Sequence, residues 1–163
     1  MAFSAELTDL AARVGARLKE RGDTVAVADG SAGGLISAAL LSVPGASAYF
    51  VGGGVLYTTH SKQVFLGLTR EQATEPRSST EPHTLMLARA IRERLGTTWG
   101  LAETGATGPT GNRYGDAAGH VCVAYVGPSG ERSATRELAS PDRAANMDRF
   151  ARAALELFLE GLG

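Results

Sequence analysis

The chain has 163 residues, a size that buries about two-thirds of its unfolded surface around one core, so a single domain over 1–163 is expected. Apolar residues make up 44% and charged residues 20%, which excludes a disordered or fibrous chain; Lys and Arg number 16 against 17 Asp and Glu, signs interspersed, so no basic stripe points to nucleic acid. The one cysteine, Cys122, rules out an internal disulfide, no run reaches the roughly 18 apolar residues of a membrane span, and 1–21 lacks a signal-peptide core, so a cytoplasmic chain with no membrane partner is expected.

In chain order, Leu7, Leu10, Ala11, Val14 and Leu18 fall at helical spacings among charged residues, predicting a helix over Ala5–Arg21 closed by Gly22. Thr24–Ala28 reads as a buried strand. Beyond Gly33-Gly34, Leu35–Leu41 is a short helix ended by the Pro44-Gly45 turn. Phe50–Tyr57, with Gly52, Gly53 and Gly54, is strand-like, and a turn then carries the chain through Lys62 toward Leu66. Thr69–Ser79 is polar and reads as irregular. Thr80–Leu95 carries Leu85, Leu87, Ala88, Ile91 and Leu95 with flanking arginines, which predicts another amphipathic helix, with Pro82 in the first turn.

Thr98–Ala102 and Val121–Val126 are apolar strands, and the more polar Ser133–Leu138 suits a sheet edge. Cys122, inside an apolar run, reads as a buried structural thiol. Between them Glu103–Gly119 is rich in Gly, Thr and Pro and reads as loop. Ser140-Pro141 starts a last helix with Ala144, Met147, Ala151, Ala154 and Phe158 on one face. Strands alternating with helices predict a three-layer α/β/α sandwich with a mixed, mostly parallel sheet.

Three loops follow strand ends: Asp29–Gly34, Tyr57–Lys62 and Thr104–Gly111. In open α/β sheets ligands bind outside the carboxyl ends of strands, and small residues there let backbone N–H groups face an anion or a carbonyl oxygen. Neither glycine loop matches a P-loop or a dinucleotide fingerprint. Lys62 stands five residues after Tyr57 on an otherwise uncharged turn. Asp29 and Glu103 sit beside the glycine-rich turns, as caps or as an acid/base pair if the fold joins them. His60, His83 and His120 share no metal-ligand spacing with each other or with Cys122, so no metal is expected.

The order of motifs is specific: Ala28-Asp29-Gly30-Ser31-Ala32-Gly33-Gly34, Pro44-Gly45-Ala46-Ser47, Phe50, Gly53, Val55, Tyr57, Lys62, Glu81-Pro82 and Thr104-Gly105-Ala106-Thr107-Gly108-Pro109. This resembles the CinA C-terminal domain family, whose pattern runs A-E-S-C-T-G-G, P-G-A-S, F-x-G-G-x-V-x-Y-x-x-x-x-K, S-E-P and T-G-I-A-G-P. The resemblance implies hydrolysis of the carboxamide of nicotinamide mononucleotide, a pyridine ribonucleotide, to the acid and ammonia, without metal or organic cofactor. A serine would attack, a lysine would take its proton, and a tyrosine would position the groups. On this chain those roles fall to Ser31, Lys62 and Tyr57. Substrate-binding positions are Gly30, Gly33, Gly34, the Thr104-Gly105-Ala106-Thr107-Gly108 stretch, and Arg143.

Gly30 occupies the family's serine position, Ser31 its cysteine position and Ala32 its threonine position; Glu75-Pro76-Arg77-Ser78-Ser79-Thr80 replaces the common G-A-V-S before Glu81-Pro82. A second reading therefore stands beside the first: a catalytically silent member that keeps a nucleotide pocket or an interaction role. Self-association as a homo-oligomer is implied by the resemblance and expected through apolar faces of the first and last helices.

Overall fold

The computed structural model describes residues 3–163. Helix α1 (Ala5–Arg21) opens at Ser4, whose hydroxyl accepts from the Leu7 N–H, and closes at Gly22 in the left-handed region, where a side chain would be strained. It is followed by β1 (Val25–Asp29), α2 (Leu35–Leu41), a 3₁₀ turn at Ala46–Ala48 and β2 (Phe50–Val55). Next come α3 (Thr59–Leu66), α4 (Arg70–Thr74), α5 (Glu81–Leu95), β3 (Trp99–Ala106), β4 (His120–Gly127), β5 (Gly130–Glu137) and α6 (Arg143–Leu162).

The strands form one sheet in the order β2-β1-β3-β4-β5. β1 pairs in parallel with β2 and β3, whereas β4 is antiparallel to β3 and to β5, so β4 alone runs against the others. Helices cover both faces, which makes the expected α/β/α sandwich with a mixed sheet. Among the described residues no helix is long and apolar enough to cross a membrane.

The strand period of two sorts residues by size. One face carries Val25, Val27, Trp99, Leu101, Val121, Val123 and Tyr125 and packs with α1, α2 and α6. Here Trp99 meets Tyr125 and Phe158 edge-on, with ring centroids 5.8 and 5.6 Å apart. The other face is small: Ala26, Ala28, Ala102 and Ala124 lie under α5, which contributes Leu87, Ala88 and Ile91. Gly100 belongs to this face, and a Cβ there would stand 2.0 Å from the Ala88 carbonyl oxygen. The small face lets α5 lie close on the sheet and brings its first turn down to the carboxyl end of β3, where the Thr84 and Thr104 hydroxyls are 3.0 Å apart.

Four expectations need correction. The Tyr57–Lys62 turn is largely helix: Thr58 and Ser61 form a reciprocal capping box that nucleates α3, so Lys62 projects from a helix. Thr69–Ser79 contains α4, opened by a second such box from Thr69 and Gln72. The Glu103–Gly119 loop begins late, because Glu103 to Ala106 continue β3 in register with Val123 to His120. The last helix is capped by Asp142, which accepts from the Ala145 N–H, while Ser140 accepts from the Asp142 N–H one step earlier.

The faces of α1 and α6 expected to serve self-association are spent inside the chain. Leu7, Val14, Leu18, Ala151, Ala154 and Phe158 are fully buried there. Exposed apolar side chains lie instead on α2, β2 and α3: Leu41, Val51, Val55, Val64 and Phe65.

Candidate active site

The carboxyl ends of β1, β2 and β3 converge, and each delivers one part of a polar pocket. From β1, Asp29 turns back to cap α2: its carboxylate accepts from the Ser37 hydroxyl at 2.7 Å and from the Ile36 and Ser37 amides at 3.3 Å. Gly34, the residue before α2, has no side chain to do so. Asp29 is fully buried, and burial raises its pKa.

Glu103 on β3 organises the next three residues of the turn. It accepts from the Gly30 amide at 3.2 Å and the Ala32 amide at 2.8 Å, and Ser31 donates its hydroxyl to the other carboxylate oxygen. Complete burial pushes Glu103 up to about 7 against these stabilising bonds. Gly30 is what lets the turn close so tightly: a Cβ there would lie 2.5 Å from the Glu103 carbonyl oxygen.

Lys62 comes from α3 and is only 4% exposed. Its Nζ lies 2.9 Å from Ser78 Oγ and 2.9 Å from His83 Nε2. Burial brings its pKa down to about 8, so an appreciable fraction is a neutral amine near neutral pH. His83 is fully buried on the first turn of α5; burial and the nearby Lys62 charge lower it to about 4, which keeps the imidazole neutral. Its Nδ1 donates to the Pro76 carbonyl at 2.8 Å, which fixes Nε2 as the acceptor facing Lys62.

Two adjoining cavities, which share lining residues, lie over these groups. A smaller one of about 60 Å³ is lined by Gly30, Ser31, Lys62, Ser78, Thr104 and Gly105, among others. A larger one of about 200 Å³ shares Ser31, Tyr57 and Gly105 with it and runs along Ala106, Thr107 and Gly108 to Asn112 and Arg143. Arg143 bridges the mouth: it donates to the Gly108 carbonyl at 2.6 Å and to the Tyr57 hydroxyl at 3.3 Å. Its remaining N–H groups stay available to an anion. Asn146 of α6 supports the same rim by donating to the Thr107 carbonyl at 2.9 Å. Larger hollows of about 380 and 490 Å³ flank the C-terminal half of α5, but neither gathers a buried amine with a hydroxyl.

The structure thus assembles Gly30, Ser31, Tyr57, Lys62, Thr104–Gly108 and Arg143 around one space. Gly33 and Gly34 stand outside its lining. They shape the turn at φ 67 and 93, and a Cβ on Gly33 would meet Met147 of α6 at 2.7 Å. Lys62 and Ser31 line the same cavity, but each hydrogen-bonds elsewhere. Sequence reasoning missed Ser78 and weighed His83 only as a metal ligand. They lie 16 and 21 residues from Lys62, their shared partner, and no short-range spacing marks them. Cys122 is buried, and burial raises its thiol to about 11, so it is an inert packing group.

Fold and site together define an α/β/α protein whose polar pocket lies at the carboxyl ends of neighbouring parallel strands. The chain belongs to the CinA C-terminal domain family, whose model matches residues 7–162. It is 39% identical to a CinA-like protein of Salinibacter ruber over 147 residues and 36% identical to one of Desulfosudis oleivorans over 147 residues; each alignment covers 90% of this chain. The chain spans about a third of the length of these relatives, 35% and 36%.

Among solved structures it resembles the competence/damage inducible protein CihA of Agrobacterium tumefaciens, with a TM-score of 0.89, 27% identity and 98% of each chain covered. It shares its fold with a CinA superfamily protein of Klebsiella pneumoniae at a TM-score of 0.89 and 24% identity, covering 96% of this chain and 97% of that one.

Proposed function

We propose that the chain hydrolyses the carboxamide of a pyridine ribonucleotide, with nicotinamide mononucleotide as the first candidate, to the carboxylate and ammonia. The observation that carries the reading is the buried amine of Lys62, poised near neutral pH and hydrogen-bonded to a hydroxyl on the wall of a cavity that opens toward Arg143. A neutral amine there takes the proton of a hydroxyl nucleophile and returns it to the departing nitrogen. The amide end enters the smaller cavity beside Thr104 and Gly105. The ribose phosphate lies in the larger one, where Arg143 supplies positive charge and Tyr57, 61% exposed, sits at the rim. Ser31, Tyr57 and Lys62 are the side chains that the family resemblance makes catalytic, and all three reach this space.

The test is ammonia release from nicotinamide mononucleotide by the unsubstituted chain and by Lys62→Met. Turnover that Lys62→Met lowers by roughly 10²–10⁴-fold supports the reading; a substitution that leaves turnover intact sinks it. Gly30 and the capture of Ser31 by Glu103 favour a second reading, a silent member that binds nucleotide. Its signature is a rise in Tm with nicotinamide mononucleotide and no ammonia from any pyridine nucleotide. Self-association belongs to the same proposal, through exposed apolar side chains, Val51 and Val55 of β2 and Phe65 of α3, and light scattering of the native chain against Val51→Glu and Phe65→Glu tests it.

A further inference from the structure

We propose that the nucleophile of this pocket is Ser78, with Lys62 as its base and His83 as the residue that orients the amine. The inference deepens the hydrolytic reading above and rests on it.

Ser31, Ser78 and Ser79 all line the smaller cavity, and the geometry separates Ser78 from Ser31. Ser31 donates a hydrogen bond to the Glu103 carboxylate, whose other oxygen is occupied by two backbone amides. Ser78 Oγ instead lies 2.9 Å from Lys62 Nζ and 3.4 Å from His83 Nε2. The tautomer of His83 does the rest. Because Nδ1 donates to Pro76, Nε2 must accept, and one Lys62 N–H is drawn to it at 2.9 Å. A neutral amine has two N–H bonds and one lone pair. With an N–H held by His83, the amine can turn its lone pair to the hydroxyl at the same distance on its other side, which is the alignment proton abstraction needs.

The segment bearing Ser78 is clamped on both flanks. Arg77 makes a two-pronged ion pair with Asp116, at 2.8 and 3.2 Å. His120 Nε2 donates to the Ser79 carbonyl at 2.9 Å, and the Thr80 hydroxyl donates to the Arg77 carbonyl at 2.7 Å. Ser79 itself is buried and sits at φ 61, a left-handed conformation costly for a residue with a side chain. A surface turn has no need of such restraint; a nucleophile held against a cavity wall does.

In the reaction the Ser78 O–H bond breaks, its proton passes to Lys62, and Oγ bonds to the amide carbon while the carbonyl π pair moves to oxygen. Collapse of that intermediate breaks the C–N bond as Lys62 returns the proton to nitrogen, releasing ammonia and leaving an acyl ester on Ser78. Water then adds with its proton taken by Lys62, and the proton ends on Ser78 Oγ as the carboxylic acid leaves.

The experiment treats the native chain with phenylmethanesulfonyl fluoride and locates the adduct by peptide mass spectrometry, beside ammonia release from nicotinamide mononucleotide. Attack joins Oγ to sulfur, expels fluoride and places the proton on Lys62, so no amide substrate is needed. The expected adduct is on Ser78; Lys62→Met lowers its rate by roughly a hundredfold, and Ser78→Ala abolishes it. His83→Leu slows labelling by about tenfold, and His83→Gln, which restores an acceptor for the amine, recovers it. An adduct on Ser31, on another residue, or on none overturns the assignment. Adduct on Ser78 without ammonia release leaves the nucleophile standing and rejects the substrate reading.

Discussion

The two walls of the pocket carry the same chemical unit, a serine hydroxyl beside a buried titratable side chain, and use it in opposite ways. On the sheet wall, Ser31 is one of three donors spent on the Glu103 carboxylate, and the result is a rigid turn. On the helix wall, Ser78 meets Lys62, an amine whose other neighbour is a neutral imidazole. An acceptor surrounded by donors is a structural anchor; an amine between a hydroxyl and an acceptor is a proton carrier. Burial perturbs both partners, yet only one arrangement leaves a proton free to move.

The largest effect expected from breaking this contrast is on the sheet wall. Glu103→Ala orphans the Gly30 and Ala32 amides inside the core and lowers stability by about 3 kcal/mol, read from a urea midpoint. The native Glu103 also gives stability a pH slope. Its folded value, about 7, lies above the ordinary 4.5, so the unfolded chain releases the proton first as pH rises. Its contribution is whole below about 4.5 and is lost as pH climbs toward 7, and Glu103→Gln flattens that decline.

A smaller loss, about 2 kcal/mol, follows from Gly30→Ser, because the new Cβ must displace the β3 backbone at Glu103. Tm measurement checks it, and a neutral result means that the turn can lift off the strand. The smallest change has the other sign. Lys62→Met removes an amine whose burial disfavours its charge, so Tm at pH 7 rises by an equivalent of about 1 kcal/mol while ammonia release collapses. Loss of both stability and turnover would place Lys62 among the anchors instead.

Much of this architecture is legible in the sequence because its signals are local. The stripe of α1 with Gly22 beyond it, the boundaries of α2, and the Thr80 start of α5 all follow from spacing and caps. The short helices α3 and α4 escaped because neither has length for a clear apolar period; their capping boxes, Thr58 with Ser61 and Thr69 with Gln72, were the available signal. Glu103 to Ala106 read as loop since small and polar residues in β3 suit a strand only when α5 and β4 enclose it.

At the site, the family motifs brought Lys62, Tyr57, Ser31 and the Thr104–Gly108 stretch to one place. The Ser78–Lys62–His83 cluster was out of reach for a different reason. It forms only when the segment before α5 folds back over α3, and the clamp from Arg77 to Asp116 spans 39 residues.

The alanine-and-glycine side of the sheet carries a consequence of its own. Layer thickness there is set by Ala26, Ala28, Gly100 and Ala102 rather than by any pocket residue, and α5 rides on it with His83 and Thr84 at its leading end. The sheet acts as a shim. One methyl group added at Gly100, at the opposite end of β3 from the pocket, must push back the Ala88 carbonyl it would meet at 2.0 Å, so carpentry in the floor shifts α5 and with it the reach of an imidazole to an amine.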